Sequence, residues 1–366
     1  MSDKKKVVVG MSGGVDSSVC ALLLKEQGYE VIGATMQIWD PEKCGVEREG
    51  SCCGLSAVED ARAVAACLDI PYYVLNLKDI FRQKVIDNFT ESYIKGITPN
   101  PCIACNRYVK WEAFMERCRD IGADYIATGH YARVIRLPDG RYTIRRSVSD
   151  TKDQTYVLYN LTQDQLAHTL MPVGEFEKTS IRELALKAGL PVANKSDSQD
   201  ICFIEDGDYA KFIKKRTGSS GKIGNFIDRE GVVIGKHAGT VNYTIGQRKG
   251  LGIALGHRAF VCDIDADSGD ITLGTDADLY KATLFASGIN HMGDERFDED
   301  FTYSGKVRYS QRGTLCKVKY VDEDTIRVDF ETPVRAATPG QAVVLYRDDY
   351  IAGGGTIIKE SRQHKV

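Results

Sequence analysis

The sequence predicts an α/β protein: a doubly wound parallel sheet in its first part, followed by a small β-rich domain and a C-terminal β-barrel-like domain. Three observations point there. Residues 1 to about 130 alternate short β-rich runs with helical apolar periodicity, the pattern of a parallel sheet covered on both faces. Residues 218–256 then hold ten glycines among β-branched and aromatic residues, which suits short strands and tight turns. From about Ala282 onward apolar and polar residues alternate at 316–320 and 325–330, with a further run at 342–346, as a compact barrel requires. The domain boundaries expected from these shifts are 1–207, 208–281 and 282–366.

Each element of the first part has a local reason. Strands are expected at residues 6–10, 29–36, 72–77 and 124–128, short apolar runs between turn residues. After the first, a helix places Val15, Val19, Leu22 and Leu23 on one face and closes at Gly28. The next is expected to start at Ser56, with Glu59 completing a capping box, to turn Ala61, Val64, Ala65 and Leu68 inward, and to stop before Pro71. In such a sheet ligands sit beyond the carboxyl ends of the strands, which gathers residues 12–17, Met36 and Gly129 around one crevice. Met36, otherwise an ordinary core residue, is placed there to touch an adenine face. Residues 150–205 are more polar, carry a helix over 180–189, and read as an extension of the first domain.

Composition bounds the function. A chain of 366 residues exceeds one typical core, and 43% hydrophobic with 27% charged residues is the balance of a soluble globular protein. There is no uninterrupted apolar stretch of membrane-spanning length, and the lysine-rich start runs straight into a strand, so a cytoplasmic protein without membrane partners is expected. Eleven cysteines in a long chain without a secretory signal argue for reduced thiols. A net charge of -3 gives no global nucleic-acid signal, so any RNA contact must come from local basic surface.

Between the first strand and the first helix lies Ser12-Gly13-Gly14-Val15-Asp16-Ser17-Ser18, which reads as a nucleotide-phosphate cradle. The glycines let backbone N–H groups approach an anion, and the serine hydroxyls and helix N-terminus add donors and a positive dipole end. No lysine follows them, so this is not the loop used for γ-phosphoryl transfer. The ordinary alternative is a Gly-Gly turn capped by Ser12. Two further segments place thiols at polar-to-apolar junctions: Asn100-Pro101-Cys102-Ile103-Ala104-Cys105-Asn106, expected on a loop and a helix N-terminus where a dipole lowers a thiol pKa, and Asp197-Ser198-Gln199-Asp200-Ile201-Cys202-Phe203. Cys20, Cys67, Cys118, Cys262 and Cys316 sit in apolar or periodic settings and are expected to be buried and inert. Cys44, Cys52 and Cys53 fall in a stretch read as a mobile loop near the active site, since no histidine completes a metal spacing.

The loop resembles the PP-loop of ATP pyrophosphatases, which split ATP between the α- and β-phosphates. Residues 10–17, Asn100-Pro101 with Cys105-Asn106, residues 127–131, Lys152-Asp153-Gln154, and Asp197-Ser198 with residues 201–203 together resemble the tRNA-specific 2-thiouridylase family. Residues 243–248 and Arg308-Tyr309 extend the similarity over nearly the whole chain. The resemblance implies a PP-loop ATPase domain and ATP-dependent replacement of the C2 oxygen of a tRNA wobble uridine by sulfur, with AMP and pyrophosphate as products. ATP is then held by Gly10, Met11, Ser12, Gly13, Gly14, Val15, Asp16, Ser17, Met36 and Gly129, with Mg²⁺ on Asp16. By the same resemblance Cys202 carries a persulfide delivered by a sulfur carrier or desulfurase. Cys105 attacks its sulfur to release the thiolated base and a Cys105–Cys202 disulfide. Asn100, Pro101, Cys102, His130, Lys152, Asp153, Gln154, Arg308, Tyr309 and Gln341 are the implied tRNA contacts.

Cys102 stands where many family members have aspartate. That opens a second chemistry for the same product, in which Cys102, Cys105 and Cys202 offer three thiolates to a [4Fe–4S] cluster. From the loop alone, two other readings stay open: a ligase adenylating a small metabolite such as citrulline, and a non-catalytic adenine-nucleotide sensor. Neither would use the spaced cysteines.

Overall fold

The computed structural model describes residues 4–38, 55–196, 201–204 and 207–360. Cys44, Cys52 and Cys53, and the Asp197-Ser198-Gln199-Asp200 part of the second cysteine motif, lie outside them. The chain divides into two compact units. One comprises Met1–Val85, Cys102–Phe203 and Asp349–Ile351; the other Ile86–Pro101, Ile204–Asp348 and Ala352–Val366.

In the first unit β1 (Lys6–Gly10), β2 (Glu30–Gln37), β3 (Tyr72–Asn76), β4 (Tyr125–Thr128) and β7 (Thr169–Leu170) form a parallel sheet in the order β3-β2-β1-β4-β7. The strands read from the sequence are present, shifted by no more than a residue at their ends. β1 is central, so Val7, Val8 and Val9 are fully buried, which is why it reads as an unbroken apolar run. α1 (Val15–Glu26) lays Val15, Val19, Cys20, Leu23 and Leu24 into the same core as Val7, Val9 and Met11. Leu24 takes the inward place expected of Leu22, which is only partly buried.

α2 (Leu55–Cys67) begins one residue before Ser56, so Ser56 is helical and cannot be the cap the sequence suggested. Its Ala61, Val64 and Leu68 side still faces the core. A hairpin of β5 (Ala132–Arg136) and β6 (Tyr142–Arg146) and the helix α3 (Lys178–Lys187) complete the unit, α3 burying Ile181 and Ala185. α3 starts two residues ahead of the expected 180, and Gly189 at φ 64° terminates the turn after it.

In the second unit α4 (Tyr209–Thr217) is capped by Asp208, whose Oδ1 accepts the Lys211 N–H at 2.8 Å. β8 (Gly224–Ile227), β9 (Val233–His237), β10 (Phe260–Ile264) and β11 (Ile271–Gly274) form a four-stranded sheet in the order β10-β11-β8-β9 around Phe226, Val261 and Ile271. The last six strands are β12 (Tyr280–His291), β13 (Tyr303–Lys306), β14 (Thr314–Tyr320), β15 (Thr325–Arg335), β16 (Ala342–Arg347) and β17 (Tyr350–Ile358). They run in the order β12-β15-β14-β13-β16-β17, and β17 pairs back onto β12, closing an antiparallel barrel. Closure removes the sheet edges, and alternate residues such as Cys316, Val318, Ile326, Val328, Val343 and Leu345 fill the interior.

Candidate active site

The crevice forms where β1 is flanked by β2 on one side and β4 on the other, the point at which strand order reverses. The chain leaves β1 through Met11 and turns at Gly13, whose φ of 67° is left-handed; a side chain there would sit 2.5 Å from the Ala57 carbonyl oxygen. α1 then starts at Val15 with Gly14 as its N-cap and no side-chain cap. Its first N–H groups, aligned with the helix dipole, therefore point at the loop. Ser12 N–H donates to Ser17 Oγ (3.2 Å), the two hydroxyls meet at 3.3 Å, and Ser17 and Ser18 donate to the Gly14 carbonyl at 3.2 and 2.8 Å. These bonds shape an anion cradle of backbone donors.

Gly129, after β4, closes on the same helix start: a Cβ there would lie 2.6 Å from Asp16 C and Ser17 N. Met36 Cε comes 3.2 Å from where a Gly10 Cβ would be, so the absence of a side chain at residue 10 keeps the two strand ends together. Two residues of the expected nucleotide set face inward instead. Met11 is 1% exposed with its sulfur against Gly33, and Val15 is 4% exposed, so each reaches the crevice only through its backbone.

Asp16 is the acidic residue of the first turn of α1. Lys178, at the start of α3, donates to Asp16 Oδ1 and Oδ2 at 2.7 and 2.9 Å. Tyr131 donates its hydroxyl to Oδ1 at 2.8 Å. Tyr131 is in turn held by Gln154, whose Oε1 accepts the Tyr131 N–H (2.9 Å) and whose own N–H donates to the Tyr131 carbonyl (3.0 Å). A second lysine, Lys195, donates to the Gly13 carbonyl at 3.1 Å and to Asp60 at 2.6 Å. Neither lysine is visible as a site residue in the sequence, because both lie more than 160 positions from the loop in ordinary polar surroundings. Among the described residues no three His, Cys, Asp or Glu side chains gather as a metal cage. Mg²⁺ habitually uses one or two carboxylates completed by phosphate oxygens and water, so Asp16 fits a shared site and not a protein-only one.

Pro101–Ala104 forms a single helical turn, and Cys105–Phe114 continues it as a π-helix. Proline is suited to the first helical position, so the helix begins before the cysteines. Cys102 falls in the first turn and is exposed, while half-buried Cys105 sits at the α-to-π step, not at the helix start expected for it. Asn106, 2% exposed, pins that step by donating to the Val157 carbonyl at 2.9 Å. Trp111 closes the other end, its indole N–H donating to Thr169 at 2.8 Å. Cys202 is half-buried and precedes Phe203, which packs edge-on against Phe81 at 5.7 Å.

Because no three-ligand group exists among the described residues, Cys102, Cys105 and Cys202 are not gathered as cluster ligands. Of the cysteines expected to be inert, Cys20, Cys118 and Cys316 are buried, and burial pushes the Cys118 and Cys316 thiols up to about 12. Cys262 is half-buried and Cys67 is exposed, contrary to the expectation. Cys67 is the last residue of α2 and lies off the Ala61, Val64 and Leu68 side that faces the core.

The residues expected to meet RNA divide between the units: Cys102, His130 and Lys152-Asp153-Gln154 in the first, Asn100, Pro101, Arg308, Tyr309 and Gln341 in the second. Several are committed to the protein itself. Asp153 accepts from Thr155 Oγ1 (2.7 Å) and the Ser147 N–H (3.3 Å), and Gln154 holds Tyr131 as above. Arg308 donates to the carbonyls of Ala336 and Ile245 and to Thr338 Oγ1 at 3.0–3.2 Å. Gln341 donates to the carbonyls of Thr98 and Pro99 at 2.9 and 3.2 Å, beside Gly340, where a Cβ would strike Ile97. Tyr309 is 45% exposed. His130 meets Lys110 through Nε2 (3.3 Å) and Thr128 through Nδ1 (2.7 Å). An ammonium can only donate, so Nε2 accepts and Nδ1 carries the proton. Burial, then the Lys110 charge, push its pKa well below the usual histidine value.

An α/β sheet opening at its switch point onto a lysine-free, serine- and glycine-lined anion cradle defines a nucleotide-binding protein of the PP-loop class. Family models match in three segments: a tRNA methyl transferase HUP domain over residues 5–206, a tRNA methyl transferase PRC-barrel domain over 210–275, and an aminomethyltransferase beta-barrel domain over 281–357. Curated relatives named tRNA-specific 2-thiouridylase MnmA include proteins of Lachnoclostridium phytofermentans (57% identity over 97% of this chain and 100% of that one), Clostridium perfringens (53%, 97% and 98%) and Clostridioides difficile (51%, 97% and 98%). The chain belongs to the tRNA-specific 2-thiouridylase family.

Proposed function

We propose that this protein uses ATP to replace the C2 oxygen of a tRNA wobble uridine by sulfur, releasing AMP and pyrophosphate. The observation that carries the reading is the relationship to 2-thiouridylases along 97% of the chain, which includes the cradle and both cysteine segments. The geometry supports it. A carbonyl oxygen is a poor leaving group, and attack of that oxygen on the α-phosphorus makes it a phosphate ester while pyrophosphate departs. The fixed N–H groups at the start of α1 are placed to stabilise the charge that develops. Mg²⁺ held by Asp16 would supply further neutralisation at the phosphates.

Sulfur then comes from a persulfide on Cys202, loaded by a persulfide-donating protein. Its terminal sulfur attacks C2, AMP leaves, and the base is joined to Cys202 through an S–S bond. The Cys105 thiolate attacks the Cys202 sulfur. That bond breaks with its electron pair on the base sulfur, leaving 2-thiouridine and a Cys105–Cys202 disulfide, which an external thiol reduces. Half-buried thiols at both positions suit a step that must exclude water yet admit a loop base. Tyr309, His130 and Cys102 are assigned to RNA contact, as are Arg308 and Gln341, whose guanidinium and amide nitrogens also donate to the protein. No helix among the described residues is long and apolar enough to cross a membrane.

The test is mass spectrometry of nucleosides from tRNA incubated with the protein, ATP and a persulfide donor. Exchange of oxygen for sulfur on uridine supports the reading. Gain of a methylene mass instead would favour the methyl transfer named in the family-model descriptions, and AMP release without tRNA would favour a small-molecule ligase.

A further inference from the structure

We propose that Cys102 is the resolving thiol of the reaction cycle: once the thiolated base has left, it moves the Cys105–Cys202 disulfide to Cys102–Cys105, where a protein dithiol reduces it. The inference rests on the persulfide reading above and adds a step after it. All three thiols belong to the first compact unit but differ in access, Cys102 being exposed and Cys105 and Cys202 half-buried. A bridge between two half-buried sulfurs is a poor target for an outside reductant, because exchange needs an attacking thiolate to reach one of them. Access therefore favours reduction through a bridge that includes Cys102.

Helical geometry allows that bridge. Cys102 lies in the turn Pro101–Ala104, and Ala104 keeps α-helical dihedrals (φ -61°, ψ -43°) up to Cys105. On such a turn, Cα atoms of residues i and i+3 are about 5 Å apart, inside the span a disulfide bridges. The Cys202 segment is tied to the same helical run: Phe203 packs edge-on against Phe81, and the short helix Lys78–Phe81 lies against Cys105–Phe114. Asn106 anchors the step beside Cys105 through the Val157 carbonyl, which makes Cys105 the sulfur shared by both bridges. The Cys102 thiolate attacks Cys105 Sγ, and the Cys105–Cys202 bond breaks with its electron pair on Cys202 Sγ, which takes a proton. The Cys102–Cys105 bond forms with no net oxidation. One thiolate of an external dithiol then attacks Cys102 Sγ and expels the Cys105 thiolate; its second thiol displaces Cys102, so the dithiol leaves oxidised and the protein reduced. Cys202 is by then a thiol ready for reloading.

Full-length protein carrying a persulfide on Cys202, freed of donor and mixed anaerobically with ATP and tRNA, tests this. The reaction is stopped in acid and alkylated with N-ethylmaleimide, and peptide mass spectrometry locates the disulfide. Disulfide is counted per 2-thiouridine made, so that any effect of residue 102 on RNA contact divides out. Wild type is expected to hold Cys102–Cys105 with Cys202 alkylated, and Cys102→Ser to hold Cys105–Cys202. Reduced thioredoxin, as a protein dithiol, should then reset the wild type and fail on Cys102→Ser, while a small phosphine resets both. A wild type trapped as Cys105–Cys202 with Cys102 alkylated overturns the inference, as does equal reset of the two proteins by thioredoxin. Absence of 2-thiouridine from the loaded wild type, or 2-thiouridine without any protein disulfide, would instead overturn the persulfide reading.

Discussion

At the scale of single residues, the site separates groups that need their chemistry from groups that need their shape. Cys202→Ser is expected to stop loading of transferable sulfur, whereas Cys105→Ser should still accumulate a persulfide on Cys202; both should block turnover. Peptide mass spectrometry locates the extra sulfur, and a persulfide confined to Cys105 would reverse the order of the two thiols. Gly13 belongs to the second kind. Gly13→Ala forces a left-handed alanine into the Ala57 backbone, at a cost of about 1–3 kcal/mol in strain alone, and should abolish ATP binding. Equilibrium dialysis and thermal melting read the two effects; unchanged binding would mean the loop opens away from Ala57.

Elements show what could be read from the chain and what could not. The parallel strands and α1 follow from local periodicity, since a buried strand and an amphipathic helix impose their patterns wherever they occur. The π-helix at Cys105–Phe114 left no such trace, because its wider turn is fixed from outside by Asn106 on Val157 and Trp111 on Thr169. The same is true of Lys178 and Lys195: the loop motif was legible, but its cations arrive through tertiary contacts. Capping at Ser56 failed because an S-x-x-E spacing marks a helix start only if the preceding residue is not already helical.

Asn106→Ala should therefore cost about 1–3 kcal/mol, the price of an orphaned buried carbonyl. It should also alter the alkylation rate of Cys105 more than that of Cys202. Denaturant titration and timed iodoacetamide labelling check both; equal changes at the two thiols would mean Asn106 does not position Cys105.

At the scale of the whole molecule, protonation links distant parts to stability. His237 is 6% exposed; its Nε2 donates to the Gly269 carbonyl at 2.8 Å and its Nδ1 accepts the Gly239 N–H at 3.2 Å, so the neutral ring is satisfied on both sides. Burial pushes its pKa down, against a smaller opposing pull from the Gly269 bond and Asp270. His130 is shifted the same way. For both, the unfolded chain binds a proton at a higher pH than the folded one. Stability is therefore full above the ordinary histidine value near 6.5 and falls as pH drops from there toward the lowered folded values. Urea midpoints between about pH 7 and 5 should decline, and His237→Asn should lose part of that slope; a flat profile would show that both rings protonate freely in the native state.

The second unit takes in residues 86–101 as well as the barrel, and the Gln341 amide and the Pro339 carbonyl hold the backbone of Thr98 and Pro99. On the ribosome, chain is made in one direction only. Residues 97–99 emerge roughly 240 positions before the turn that receives them, at about 5–20 residues per second. For that interval residues 98 and 99 lack the amide and carbonyl partners that the finished chain gives them. A nascent chain thus has every strand of its parallel sheet by about residue 170, while residues 98 and 99 wait for the closing strands of the barrel.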